Sequence, residues 1–239
     1  MKSTIFKKLL DFVLPPVCPI CKEPVCEKDT LCSRCFKSIH FVTNPCCSVC
    51  GRPFSFDVLG VRVCAKCLAN PPLFKKALSV AVYDEMSKKL ILPFKHGDQL
   101  DLVPLLSKMM ALRGRSLIQN SNIIIPVPLH RLRLLKRKYN QSAVIAHRLA
   151  RMFDKDYIPD GLKRIRYTPS QGKFSPEQRK KNVTNAFRIN SHISVKEKAV
   201  LLVDDVLTTG ATANECAKVL LKAGAKRVDL LTFTVTTPK

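Results

Sequence analysis

Acidic residues are scarce in this sequence. Asp and Glu total 18 against 41 Lys and Arg, giving a formal charge of +23 over 239 residues. A solvated globular surface does not need that excess, which attracts polyanions through phosphate contacts and counterion release. Long apolar runs are also missing. No window approaches the roughly 20 uninterrupted apolar residues that span a bilayer, so no membrane span is expected. Met1 to Val17 mixes Lys2, Lys7 and Lys8 with Ile5, Leu9, Leu10, Phe12 and Val13. Asp11 and the Pro15-Pro16 pair interrupt the apolar stretch a secretory signal requires. A short amphipathic helix packing on the body of the protein is expected there. Hydrophobic content is 46%, enough for a sizeable core and too high for a disordered chain.

After residue 67 cysteine all but disappears: ten of the 11 come earlier, and the last is Cys216. The early ones form the pairs Cys18/Cys21, Cys32/Cys35, Cys47/Cys50 and Cys64/Cys67. A secreted disulfide scaffold does not concentrate its cysteines in C-x-x-C pairs, so a reducing cytoplasm and metal binding are expected. Each two-residue gap lets both thiolates reach one tetrahedral metal. Ten residues separate the first two pairs and 13 the last two, and both gaps suit a ribbon hairpin. Two sequential four-cysteine zinc sites are the simplest arrangement; a cross-braced pairing, first with third and second with fourth, also fits the spacing. One or two structural Zn2+ ions are expected. Cys26 and Cys46 read as small buried residues, with Cys46 a competitor for Cys47. Closed all-thiolate sites leave no position for water, so the zinc reads as a folding staple. A docking surface for DNA or a partner is the sharper alternative.

Residues 1–75 therefore read as a zinc-ribbon module and 76–239 as an α/β domain with a mainly parallel sheet. Strands are expected at Ala77–Tyr83, Asn122–Pro128, Leu162–Tyr167, Ala199–Val203 and Val228–Val235. Helices are expected at Glu85–Leu92, Leu100–Leu112, Gln141–Phe153 and Thr212–Ala223, the last stopped by Gly224. Alternating strands and helices argue the parallel sheet. Thr168–Asn182 is polar and basic and reads as a mobile loop.

The segment from Ala199 to Thr212 reads AVLLVDDVLTTGAT. A buried strand delivers Asp204 and Asp205 to its C-terminal end, where open α/β sheets bind ligands. Val206 and Leu207 lead into Thr208, Thr209, Gly210, Ala211 and Thr212, which turn into a helix. Gly210 permits a tight turn whose N–H groups converge on an anion, and the helix N-terminus adds partial positive charge. The carboxylates suit ribose hydroxyls or the water shell of Mg2+. Together these features describe a ribose 5-phosphate site. A Walker lysine is missing, and one glycine does not make a dinucleotide fingerprint. A plain strand-turn-helix accounts for Gly210 and Thr212 but not for paired Asp at a buried strand end.

VLLVDDVLTTGAT resembles the phosphoribosyl-pyrophosphate (PRPP) motif of type I phosphoribosyltransferases. With the four cysteine pairs and the segments PVPLHRLRLLKRKYNQS and QGKFSPEQRKKNVTNAF, nearly the whole chain resembles the ComF (ComFC/GntX-like) family. The resemblance implies a Rossmann-like phosphoribosyltransferase domain behind a double zinc ribbon. It implies PRPP with Mg2+ as ligand and a role in handling incoming single-stranded DNA during natural transformation. A DNA-uptake helicase or other competence proteins would be partners. Asp204 and Asp205 would hold the ribose, Thr208 to Thr212 the 5-phosphate, and Pro126 to Arg131 the pyrophosphate side. Phosphoribosyltransferases acting on 6-oxopurines usually carry an acid where Thr208 stands, so purine salvage is disfavoured.

The remaining signal is basic. Arg131, Arg133, Lys136, Arg137 and Lys138 follow a strand end; Lys163, Arg164 and Arg166 come next, then Lys173, Arg179, Lys180 and Lys181. Tyr139, Tyr157, Tyr167 and Phe174 punctuate these runs. Guanidinium forks grip phosphate, and aromatic faces stack on unpaired bases. Arg133 and Arg137 are alternatively pyrophosphate ligands, and Gln171–Asn182 a lid. His130, just past the strand end, joins the candidates. The other histidines read as surface or packing residues, and Asn140 and Gln141 as helix caps. Three functions remain open: a PRPP- and DNA-binding protein, an active phosphoribosyltransferase with Asp204 and Asp205 as catalytic groups, and a PRPP-sensing DNA-binding regulator.

Overall fold

The computed structural model describes residues 15–55, 62–96, 99–167 and 175–237. The expected N-terminal helix and Gln171, Lys173 and Phe174 lie outside the described residues.

Each ribbon folds its cysteine pairs on tight turns. Short helices α1 (Ser33–Lys37) and α2 (Ala65–Ala69) start directly after Cys32 and Cys64. The pairing is sequential: Cys18, Cys21, Cys32 and Cys35 form one group, and Cys47, Cys50, Cys64 and Cys67 the other. Cys26 is exposed, contrary to expectation, because it sits in the polar tip between two knuckles. Cys46 lies outside both groups, with its Sγ 3.7 Å from the Arg113 guanidinium.

The larger part alternates strand and helix. Its elements run β1 (Ala77–Val82), α3 (Glu85–His96), α4 (Val103–Gln119), β2 (Ile123–Pro126), α5 (Arg131–Arg137), α6 (Gln141–Phe153), β3 (Asp156–Tyr157), β4 (Leu162–Arg164), α7 (Pro176–Val183), β5 (Phe187–Ile189), β6 (Ala199–Leu207), α8 (Ala211–Lys222) and β7 (Arg227–Val235). Five strands form one parallel sheet in the order β1-β7-β6-β2-β3; β4 and β5 pair antiparallel beside it. Strand side chains alternate between faces. Ile124, Leu201 and Val203 therefore join α4 and α6 in one core, while Ile123, Ile125, Val200 and Leu202 join α8 in the other.

Sheet order fixes where a ligand can bind. From β2 the chain moves outward to β3, and from β6 it moves the other way to β7. Right-handed crossovers put the following helices, α6 and α8, on opposite faces. A crevice thus opens between the C-terminal ends of β2 and β6, the topological switch point. The opposite edge is closed by the ribbon linker: Val42 donates to the Val80 carbonyl and Val82 to the His40 carbonyl, both at 2.8 Å. Such cover removes an open edge that invites strand addition.

Several expected elements change. Residues 176–182 are helical, not loop. Ser175 and Gln178 exchange side-chain and backbone hydrogen bonds at 2.9 and 3.2 Å, a capping box with Pro176 at the first helical position. The helix beginning at Glu85 runs through Pro93 to His96. The one expected at Leu100–Leu112 starts as a 3-10 turn and extends to Gln119. β2 stops at Pro126, β4 at Arg164, and β6 continues through both aspartates to Leu207.

Candidate functional site

A cavity of about 530 Å³ occupies the switch point. Its floor is the end of β6, with Asp204, Asp205, Val206 and Leu207. One wall is the turn into α8, with Thr208, Gly210 and Thr212; another is Val127 to Leu129 after β2. Arg133, Arg137, Arg164, Arg179 and Lys95 also line it. The turn works because Gly210 sits at φ 84°, a left-handed conformation that side chains disfavour. Gly210 is the N-cap of α8: its carbonyl accepts from Asn214 N–H at 2.8 Å. The Ala211 N–H donates to Thr209 Oγ1 at 3.3 Å, and the first-turn N–H groups that follow it point the way an anion needs.

The acidic doublet is held from three sides. Ser142 Oγ donates to Asp204 Oδ1 at 3.0 Å, and the Asp205 amide donates to the same oxygen at 2.9 Å. Lys95 Nζ stands 3.0 Å from Asp205 Oδ2. Even so, burial and then the neighbouring Asp205 charge push the Asp204 carboxyl up to about 7. Hydroxyl donors or a cation would favour its ionised form. On the cationic side, burial and then Arg133 pull the Arg164 guanidinium down to about 10. Burial and then Arg137 lower that of Arg133. Cations pressed together next to a cavity favour a multiply charged anion.

The two cysteine groups fit zinc. Within each, the four Sγ atoms lie within 4.8 Å of one another. The Cys21–Cys32 and Cys50–Cys64 sulfurs are 3.5 and 3.7 Å apart, close to the edge of a tetrahedron with bonds of about 2.3 Å. Knuckle amides donate to sulfur, from Cys35 to Cys32 Sγ at 3.4 Å and from Cys50 and Cys64 to Cys47 Sγ at 3.5 and 3.4 Å. Closed four-thiolate sets of this kind are structural.

Comparison with known proteins agrees with both halves. The double zinc ribbon domain family matches residues 9–68. The phosphoribosyl transferase domain family matches residues 140–235. Competence protein F of Haemophilus influenzae is 32% identical over 209 residues, 85% of this chain and 89% of that protein. The chain belongs to the ComF family. Other ComF relatives are the DNA utilization protein YhgH of Escherichia coli and competence protein ComFC of Bacillus subtilis. YhgH is 30% identical over 91% of this chain and 96% of its own length. ComFC is 26% identical over 87% of this chain and 84% of its own length.

In this ComF chain the expected site residues divide. Asp204 to Thr208, Gly210, Thr212, Arg133, Arg137 and Arg179 face the cavity; Thr209 and Ala211 belong to the same turn without lining it. His130 caps α5, its Nδ1 accepting from Leu132 N–H at 3.3 Å, which gives it a local structural task. Arg131 and Lys138 are exposed outside the cavity. Asn140 caps α6 as expected, but Gln141 is its buried first residue and donates to the Lys95 carbonyl at 3.2 Å. Tyr139 and Tyr157 donate to the carbonyls of Phe94 and Ala143 at 3.0 Å, so they brace the fold. Tyr167 is the aromatic that stays exposed among the described candidates. Sequence reading missed Lys95 and Ser142. Both reach the doublet from other elements, and no local pattern marks them.

Proposed function

We propose that this ComF protein binds PRPP, or a related ribose phosphate, at the switch point and handles single-stranded DNA on the surrounding basic surface. It would do so in the reducing cytoplasm during DNA uptake, with residues 1–75 as ribbon module and 76–239 as ligand-binding domain. One observation carries this reading: carboxylates, an anion-cradling turn and four arginines converge on one cavity. Asp204 and Asp205 accept from the ribose hydroxyls. Thr208 to Thr212 and the first turn of α8 receive the 5-phosphate. Arg133 and Arg137 receive the pyrophosphate. Asp204 and Asp205 would hold the water shell of Mg2+, which would supply positive charge to the phosphates. Lys95 releases Asp205 when these arrive.

The relatives support the DNA half, since they are named for competence and DNA utilization. The +23 charge supports it physically. Filter binding of an oligonucleotide across a salt series tests it. Affinity for a single-stranded oligonucleotide should fall steeply as salt rises, by about 0.7 log units of K per tenfold salt for each neutralised phosphate. A flat series, or no retention at low salt, rules out the DNA-binding half.

The arginine cluster also favours a second reading, transfer of the ribose 5-phosphate to an acceptor. Cations held beside the pyrophosphate would stabilise it as it departs. Pyrophosphate release with PRPP and a panel of bases and amines tests this; zero release with every acceptor leaves binding alone.

A further inference from the structure

The second zinc ribbon reaches the phosphate turn directly. Arg52 lies two residues beyond Cys50 and is 9% exposed. Its Nε donates to the Thr236 carbonyl at 2.9 Å, and its Nη2 donates to the carbonyl of Thr208. Lys66, in α2 between Cys64 and Cys67, donates from Nζ to the Thr209 carbonyl at 3.1 Å. Leu73 N–H donates to the Asn214 side chain, in the first turn of α8, at 2.6 Å. Gly51 completes the junction: its φ is 67°, and a Cβ there would fall 2.5 Å from the Ala77 carbonyl oxygen. No comparable bond joins the first ribbon to this turn among the described contacts.

We infer that Arg52 and Lys66 are positioning residues for the phosphate turn, so the second zinc ribbon is part of the sugar-phosphate site. The physical reason lies in the carbonyls. In an anion cradle the N–H groups must face the ligand, so the C=O groups of the same peptides face away. Thr208 and Thr209 carbonyls left without donors would pull the turn toward other conformations. One planar fork holds Thr208 and Thr236 at once, fixing the turn against the end of β7; an ammonium carries its donors on a single atom and lacks that preset spacing. The knuckle in turn holds Arg52, whose carbonyl accepts from Cys47 N–H at 2.8 Å. Cys47 is a zinc ligand of the second group, so metal at that group sets the backbone that carries the guanidinium. The first ribbon acts as a staple only.

This inference rests on the sugar-phosphate reading, and the test separates the two. Ribose 5-phosphate is titrated into the full chain carrying Arg52→Ala, Arg52→Lys or Arg34→Ala, with zinc content measured for each. Arg34, in the first ribbon, pairs with Glu23 instead. Losing a fork that holds two carbonyls should weaken binding at least about tenfold in Arg52→Ala. Arg52→Lys should recover part of that loss, as should millimolar guanidinium ion added to Arg52→Ala. Arg34→Ala should match the wild type. Equal affinity in Arg52→Ala with full zinc content overturns the inference and leaves the site reading intact. If the wild type takes up no ribose 5-phosphate, the site reading falls, and amide exchange over residues 208–212 decides the rest. Faster exchange in Arg52→Ala upholds the positioning role, and unchanged exchange removes it. Should Arg52→Ala lose zinc, Lys66→Ala takes its place, with about threefold weaker binding expected and no change counting against the inference.

Discussion

Asp204 is where the site stores most of its electrostatic tension. Two carboxylates follow one another on a strand end, and one of them is pushed up to about 7 by burial and by its neighbour. In the unfolded chain a carboxyl of this type titrates near about 3.9. Between those values the folded protein holds a proton that the unfolded chain has lost. Stability therefore falls as pH rises through about 4 to 7 and levels off above. Thermal melts at several pH values should show this slope in the wild type and a shallower one in Asp204→Asn; identical slopes would count against the tension. This doublet was legible in the sequence because strand, acids and threonine turn are contiguous. Lys95, Ser142 and Arg52 were not, since each arrives from a segment at least 60 residues away in chain order, as the bonds to Asp205, Asp204 and Thr208 show.

At the level of elements, the joint between β6 and α8 decides function. Gly210 has room for a methyl group: the nearest atom to a Cβ is Leu207 Cδ1 at 3.7 Å. Only its φ of 84° opposes a side chain. Gly210→Ala should therefore cost about 1 kcal/mol and lower the melting temperature by about 2–4 °C, while weakening ribose phosphate binding more than that strain alone explains. Calorimetric melts beside ligand titrations check both. The long periodic elements, α6, α8, β6 and β7, were readable from apolar spacing. Helix α7 was hidden because its residues are polar, although Ser175 and Gln178 spelled out its capping box. β3 and β5 have two and three residues, too short for a period to emerge.

Across the whole molecule, no helix among the described residues is long and apolar enough to cross a membrane. The two ribbons divide the labour: one folds around its own metal, the other also braces the ligand turn. Native mass spectrometry should find two zinc ions per chain and one in Cys18→Ser; a single ion in the wild type would contradict two four-thiolate sites. The parallel sheet and the ribbon module were both legible from patterning, because strand-helix alternation and cysteine spacing are local. Their mutual packing was not, because a sequence does not announce which carbonyls a distant arginine will find. The central claim is that the switch-point cavity takes a ribose phosphate between Asp204–Asp205 and the threonine turn. Titration calorimetry of PRPP with Mg2+ tests it most directly, comparing the wild type with Asp204→Asn/Asp205→Asn. Saturable one-site binding that the double variant weakens by about a hundredfold or more is the predicted result, since each lost charged acceptor is worth about 1.5–3 kcal/mol. No heat of binding in the wild type, or equal binding by the variant, would contradict it.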